Sequence, residues 1–307
     1  MASYVVKTLQ LNLRSGASAG APRVAVLAQG TELTKIADAP AAGWWQVDAD
    51  IQGQAVRGFV NSTFVAPPAA GLFATVTAAA GTIPPADLGP TPSAKRTSTG
   101  SQAFAIGEPG RPARAASHPN GLVAGILAVI DWADVGDHSH VRWQPTGATT
   151  FCNVYTYDIC NIAGIYLPRV WWTQNALVKL QAGQQVEVKY GQTVDEIRAN
   201  QIYNWLRDFG AGFGWQRVFD PDPLQTQVNA GMVGIICAQR VDINRPGHIQ
   251  IIAPENGTNT AKRVGGKVTQ PLQSNAGTTT FTYGILGNSW WRSANFREFG
   301  FWVGKPT

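Results

Sequence analysis

Thr149-Thr150-Phe151-Cys152-Asn153-Val154-Tyr155 sets a thiol at the head of a helical pattern, and Arg245-Pro246-Gly247-His248-Ile249-Gln250-Ile251-Ile252 sets an imidazole at the head of a strand pattern. The first pattern predicts a helix from Cys152 to Ala163, closed by Gly164 and followed by Pro168. Gly147 and Thr149-Thr150 give it a flexible, capping approach. In the second, Pro246-Gly247 turn the chain, and Ile249, Ile251 and Ile252 give the imidazole a rigid strand. A thiol attacks as thiolate, so a nucleophilic cysteine needs something that lowers its pKa from about 8.5. A helix N-terminus, with its free N–H groups and partial positive charge, is one such device. An imidazole that pairs with the thiolate and then protonates the leaving amine is the second.

The other thiols and imidazoles fit ordinary roles. Cys160 lies about two turns further along the same helix, and Cys237 lies inside the apolar strand Val233-Gly234-Ile235-Ile236. Three cysteines are an odd number without paired metal spacing, which argues against a disulfide framework and a zinc site. His118 sits at the end of a proline-rich stretch, and His138 and His140 lie in the polar loop Asp134 to His140. Nothing in that loop fixes a metal geometry, so neither metal nor organic cofactor is expected.

The 307 residues suffice for about two domains. No apolar run approaches the ~20 residues needed to span a bilayer, so membrane insertion is not expected. The net charge of +5 suits an anionic surface, but the positive residues are scattered and form no basic run with interleaved aromatics, against a nucleic-acid partner. Met1 to Lys7 lacks the basic and apolar regions of a Sec signal, so action outside the cell is expected to follow lysis or non-Sec export.

Residues 66–117 carry eight prolines among many Ala, Gly, Ser and Thr residues, which predicts an extended linker over 68–117. Before it, six short β patterns over 1–67 are punctuated by Ser15-Gly16, Gln29-Gly30, Ala42-Gly43 and Gln52-Gly53, predicting a small barrel. After it, 118–307 runs from helices (Leu122 to Trp132, Cys152 to Ala163, Val194 to Phe209 capped by Thr193) to strands (Met232 to Ala238, His248 to Ala253, Lys267 to Asn275, Asn295 to Val303). The expected fold is therefore multidomain: a small all-β barrel, then an α+β domain with helices packed on an antiparallel sheet.

Leu11-Asn12-Leu13-Arg14-Ser15-Gly16, Leu27-Ala28-Gln29-Gly30-Thr31, Gly43-Trp44-Trp45-Gln46-Val47 and Gly58-Phe59-Val60-Asn61 come in the order of a bacterial Src-homology-3-type (SH3b) domain, which residues 1–67 resemble. That resemblance implies a cell-wall-binding role. Trp44 and Trp45 are its candidate ligand residues, and alternation along a strand sends one of them outward. Cys152 opening a helix, Asn229-Ala230-Gly231, Gly247-His248-Ile249 and Ser274-Asn275-Ala276-Gly277 resemble, in order, the papain-like CHAP and NlpC-type cell-wall amidases and endopeptidases over 118–307. The 96 residues from Cys152 to His248 exceed the spacing of compact members and predict an insertion shaping the cleft. Within it, Trp171 and Trp172 are candidates for stacking on sugar.

A third polar group should accept the imidazole's other N–H. The resemblance points to the next strand, making Asn275 first choice, with Gln273 and Glu255 as alternatives. The backbone N–H of Cys152, with Arg142 or Gln144, is the expected oxyanion donor set. The expected function is a peptidoglycan hydrolase acting as a monomer on a wall amide through a thioester. Two alternatives stay open: an inactive wall-binding or adhesion protein, and a cysteine-dependent toxin acting on another amide.

Overall fold

Alternating apolar residues and glycine turns make the first unit all strand. The computed structural model describes residues 3–6, 10–28, 31–51, 54–66, 83–112, 121–287 and 289–305. The chain divides into two compact units, Met1–Ala79 and Ala80–Thr307. The first contains β1 (Ser3–Val6), β2 (Gln10–Arg14), β3 (Arg23–Ala28), β4 (Glu32–Asp38), β5 (Trp44–Ile51), β6 (Gln54–Asn61) and β7 (Val65–Ala66). They form one antiparallel sheet in the order β3-β2-β6-β5-β4-β1-β7. Leu27 of β3 and Val65 of β7 share one core with Leu13, Leu33, Val47 and Val60, so the sheet bends round its own interior. The expected barrel is not closed among the described residues, because the end strands β3 and β7 are not paired and β7 has only two residues. Gly58 is required where β6 crosses β2, since a Cβ there would lie 2.6 Å from Leu13 Cγ.

The second unit begins earlier than composition suggested. Residues 83–112 were expected to belong to an extended linker; instead they pack onto the unit's core, while 67–82 and 113–120 lie outside the described residues. Small side chains explain the difference: Ala86, Ala94, Ala103 and Ala105 fit beside Ile83 and Ile106 in buried positions. The segment's irregular backbone also receives donors from the rest of the unit. Trp172 Nε1 donates to Pro84 O (2.8 Å), Tyr166 Oη to Ala86 O (3.0 Å) and Arg169 Nε to Gln102 O (2.9 Å). Its two short strands, β8 (Pro90–Thr91) and β9 (Ala105–Ile106), pair in parallel.

Five α-helices follow among the described residues: α1 (Gly121–Ala133), α2 (Cys152–Ile162), α3 (Gln174–Gln181), α4 (Ala199–Asp208) and α5 (Pro221–Asn229). None is long and apolar enough to cross a membrane. Between them, β10 (Val170–Trp172) pairs with β11 (Val194–Glu196). The expected helix from Val194 therefore starts only at Ala199, because Thr193 Oγ1 donates to Glu187 O (2.6 Å) rather than capping it. The main sheet joins β12 (Trp215–Val218), β13 (Val233–Arg240), β14 (His248–Ile252), β17 (Gln273–Asn275), β18 (Phe281–Gly284) and β19 (Phe296–Gly304) in the antiparallel order β12-β19-β13-β14-β17-β18. The predicted strand from Lys267 to Asn275 is split at Pro271, which has no N–H to donate. Its first half, β16 (Lys267–Gln270), pairs with β15 (Lys262–Val264) instead. On one sheet face Ile235, Cys237, Ile249 and Ile251 pack with α1, α2 and α4 residues; on the other Ile236 and Ile252 pack with Leu224 and Val228 of α5 and with Trp291.

Arg142 and Asp158 are fully buried beside α2. Arg142 Nε and Nη2 reach the two Asp158 oxygens at 2.7 and 3.2 Å, and Trp143 Nε1 donates to Asp158 Oδ2 (2.8 Å). Removing one member of such a pair leaves an uncompensated buried charge. Asp158→Ala is expected to destabilise the second unit by ~3–5 kcal/mol, whereas joint replacement of Arg142 and Asp158 by Met and Leu should cost far less. Urea unfolding of the three proteins measures both.

Candidate functional site

Cys152 is the first residue of α2, reached through Phe151 (φ −117°), which provides no side-chain cap. The thiol is therefore free to meet first-turn N–H groups, and α2 packs against β14. Burial pushes the Cys152 thiol up, and the N–H groups of Ile249, Asn153 and Cys152 itself, together with the Arg169 guanidinium, pull it partly back. The helix-start device expected to lower the pKa is present, but burial outweighs it at a side chain only 3% exposed. Arg169 escaped the sequence reading because it belongs to β10's approach; its guanidinium donates to Ile197 O (3.2 Å), the same carbonyl that Asn153 Nδ2 uses (3.0 Å).

His248 opens β14, and alternation puts its side chain with Gln250 and Ile252, away from the α2 side that Ile249 and Ile251 cover. Its Nε2 is buried and lacks a close partner, as does Asn275 Oδ1. The two groups are neighbours: a Cβ on Gly277 would lie 3.1 Å from Asn275 Nδ2 and 3.4 Å from His248 Cε1. Asn275 Nδ2 donates to Thr279 O (2.6 Å), which leaves Oδ1 as the amide atom for the imidazole N–H. Trp290 stands edge-on to the His248 ring (centroids 4.7 Å apart, 74° between planes) and is held by its own Nε1 bond to Gln250 Oε1 (2.7 Å). Burial pushes His248 down to about 4, with Asn275 raising it and Arg240 lowering it further. No hydrogen bond among the described residues joins Cys152 to His248; the thiol meets the N–H one residue further along the strand.

The other candidates are placed elsewhere. Gln273 pairs with Ile252, four residues and ~13 Å along β14 from His248. Its amide bonds to Pro271 O and Leu286 N. Glu255 lies beyond the far end of β14 and binds Arg263 through both oxygens (2.7 and 2.6 Å), which holds its carboxyl down at about 2. Neither orients the imidazole. Arg142 is committed to Asp158, and Gln144 Nε2 to Val135 O (2.9 Å), so neither is an oxyanion donor in this arrangement. Trp171 packs edge-on to Trp205 and beside Phe209, while Trp172 is buried and tied to Pro84 O; both are core residues rather than sugar platforms. Sequence gave no signal for Trp290, whose role depends on a loop returning over β14.

In the first unit Trp45 packs on Tyr4 (centroids 4.5 Å) beneath Lys35 Nζ. Trp44, on the other face of β5, lines a groove of about 210 Å³ with Asn12, Arg14, Asn61 and Phe64. His138 Nδ1 bonds to Gln144 Oε1 (3.1 Å) and His140 Nδ1 to Asp134 O (2.9 Å). No group of three or more His, Cys, Asp or Glu residues among the described residues is placed to hold a metal.

No family model matches the chain. No curated protein matches it either. Among solved structures, that of NlpC2 from Trichomonas vaginalis aligns over 99% of this chain and 72% of its own at 8% identity and a TM-score of 0.25. A likeness of that degree carries no argument about this chain.

The depressed His248 pKa has a stability consequence. Between pH 6.5 and about 4 the unfolded chain binds the proton that the folded chain refuses, so stability is full above 6.5 and falls by up to about 3 kcal/mol as the pH drops to 4. The Glu255 contribution is lost separately, below pH 4.5. His248→Gln is expected to flatten the pH 6.5–4 slope in denaturant unfolding; an unchanged slope would contradict the burial assigned to the ring.

Proposed function

We propose that the second unit is a papain-like cysteine hydrolase that cleaves an amide bond of bacterial peptidoglycan through a thioester on Cys152. The observation that carries the reading is His248 close to Asn275 under Trp290, one residue along β14 from the N–H that donates to the Cys152 thiol. In this reading Nε2–H is given to Asn275 Oδ1, which leaves Nδ1 for the thiol. The two approach from opposite sides of the strand end, and catalytic hydrogen bonds of this kind often tighten only when substrate is bound. Cys152 Sγ attacks the amide carbon while His248 takes its proton. His248 then protonates the leaving amine; water, deprotonated by the same ring, adds to the thioester carbon, the C–S bond breaks, and the ring returns the proton to the Cys152 sulfur as the acid is released. The N–H groups at the start of α2 stabilise the oxyanion. The first unit docks on the wall through the Trp44 groove, which places substrate near the hydrolase at high local concentration.

A second reading, a papain-like domain that holds ligand without cutting it, is favoured by the 3% exposure of Cys152 and its upward-shifted thiol. Mass spectrometry of peptidoglycan incubated with the protein separates the two. The hydrolase releases new amine termini, and Cys152→Ala and His248→Ala each lower the rate by roughly 10³-fold or more. Retention of the native rate in Cys152→Ala would sink the proposal. Trp44→Ala is expected to weaken retention on purified walls roughly three- to tenfold, while Trp45→Ala should lower the first unit's stability instead. Co-sedimentation and thermal unfolding read the two effects.

A further inference from the structure

An open cavity of about 510 Å³ lies between the loop leading to Cys152 and the loop leaving Asn275, lined by His138, Gln144, Pro145, Thr278, Thr279 and Thr280. Its size is that of a small-ligand pocket. It adjoins the site directly, because the Thr279 carbonyl on its rim is the acceptor for Asn275 Nδ2, and Gly277, one residue before Thr278, lies against His248.

The lining has a definite hydrogen-bonding polarity. Gln144 Nε2 donates to Val135 O (2.9 Å) and Asp137 O (3.3 Å), which fixes the amide with Oε1 toward the cavity. Oε1 can only accept, and it does so from Thr280 Oγ1 (3.2 Å) and His138 Nδ1 (3.1 Å). The tautomer that suits this contact carries its proton on Nδ1 and leaves Nε2 as an acceptor. The Thr278 and Thr279 side chains are exposed, and their hydroxyls can donate. Pro145 adds an apolar wall. No Asp, Glu, Lys or Arg is among the lining residues, so a charged group would enter without a counter-ion.

We propose that this cavity is the subsite for an uncharged peptide unit next to the scissile amide, its N–H given to His138 Nε2 and its C=O received by the Thr278 and Thr279 hydroxyls. The assignment rests on the hydrolase reading for the position of the scissile bond, while the cavity's preference for a neutral amide stands on its own lining.

The test uses the full chain carrying Cys152→Ala, titrated by NMR with N-acetyl-alanyl-alanine amide and with the same dipeptide as its free carboxylate. The amide should bind roughly fivefold or more tighter, and His138→Ala or Thr279→Val should each weaken it roughly fivefold, the loss of about one hydrogen bond. Equal or tighter binding of the carboxylate, no binding of either probe, or affinities untouched by both substitutions would overturn the subsite. In the chain with Cys152 intact, His138→Ala should raise KM on purified peptidoglycan about fivefold and leave kcat unchanged. Hydrolysis that survives Cys152→Ala removes the hydrolase reading and leaves the binding result standing, so the two failures are distinguishable.

Discussion

The buried Arg142–Asp158 pair is the constraint on which the second unit depends. Asp158 is on α2, six residues after Cys152, and Arg142 is on the loop that lines the cavity beside the site. The remaining guanidinium donors reach Gly100 O (3.4 Å) and Phe104 O (2.9 Å), so one cation ties together α2, its leading loop and the 83–112 segment. Arginine suits this task because its planar fork presents several donors at fixed angles. Such a pair adds little net stability over apolar packing, but it penalises every arrangement in which one of the three elements is displaced.

The same pair shows why composition misread the 83–112 segment. Prolines and alanines signal a chain unable to bury much apolar area by itself, and that is true of these residues taken alone. The donors that satisfy their carbonyls come from Arg142, Tyr166, Arg169 and Trp172, up to 88 residues away, and nothing local announces them. Strands and helices were legible where the signal is local: the helix from Cys152, the strand from His248 and the helix of 121–133 lie within a residue or two of their expected bounds. The Val194 helix failed because β10 recruits the first three residues as a strand, a tertiary effect that outweighs helical periodicity.

Site legibility divides along the same line. Asn275 was named because the resemblance points to the strand after the histidine; the fold sets it diagonally from His248, while Gln273 and Glu255 lie too far along the strand. Trp290 and Arg169 were not accessible, since each arrives by a loop whose course no local pattern sets. Trp171 and Trp172 were misjudged as surface candidates because an aromatic pair reads the same whether it stacks on a sugar or on Trp205 and Phe209.

Burial decides the charge state in which the proposed chemistry starts. It raises the Cys152 thiol and lowers the His248 imidazole, so each group separately favours its neutral form. A thiolate–imidazolium pair formed at rest would have to overcome both desolvation effects, and the two groups share no hydrogen bond that would repay them. In the proposed hydrolase the resting groups are then a thiol and a neutral imidazole, and the proton would move as the thiol attacks, which is general-base catalysis rather than reaction of a preformed ion pair. The charge that would then develop on the oxyanion would meet the N–H groups of the α2 start, whose effect on the resting thiol is outweighed by burial but whose field is stronger in the same low-dielectric setting. Under that proposal burial weakens the nucleophile at rest and strengthens the stabilisation of the intermediate.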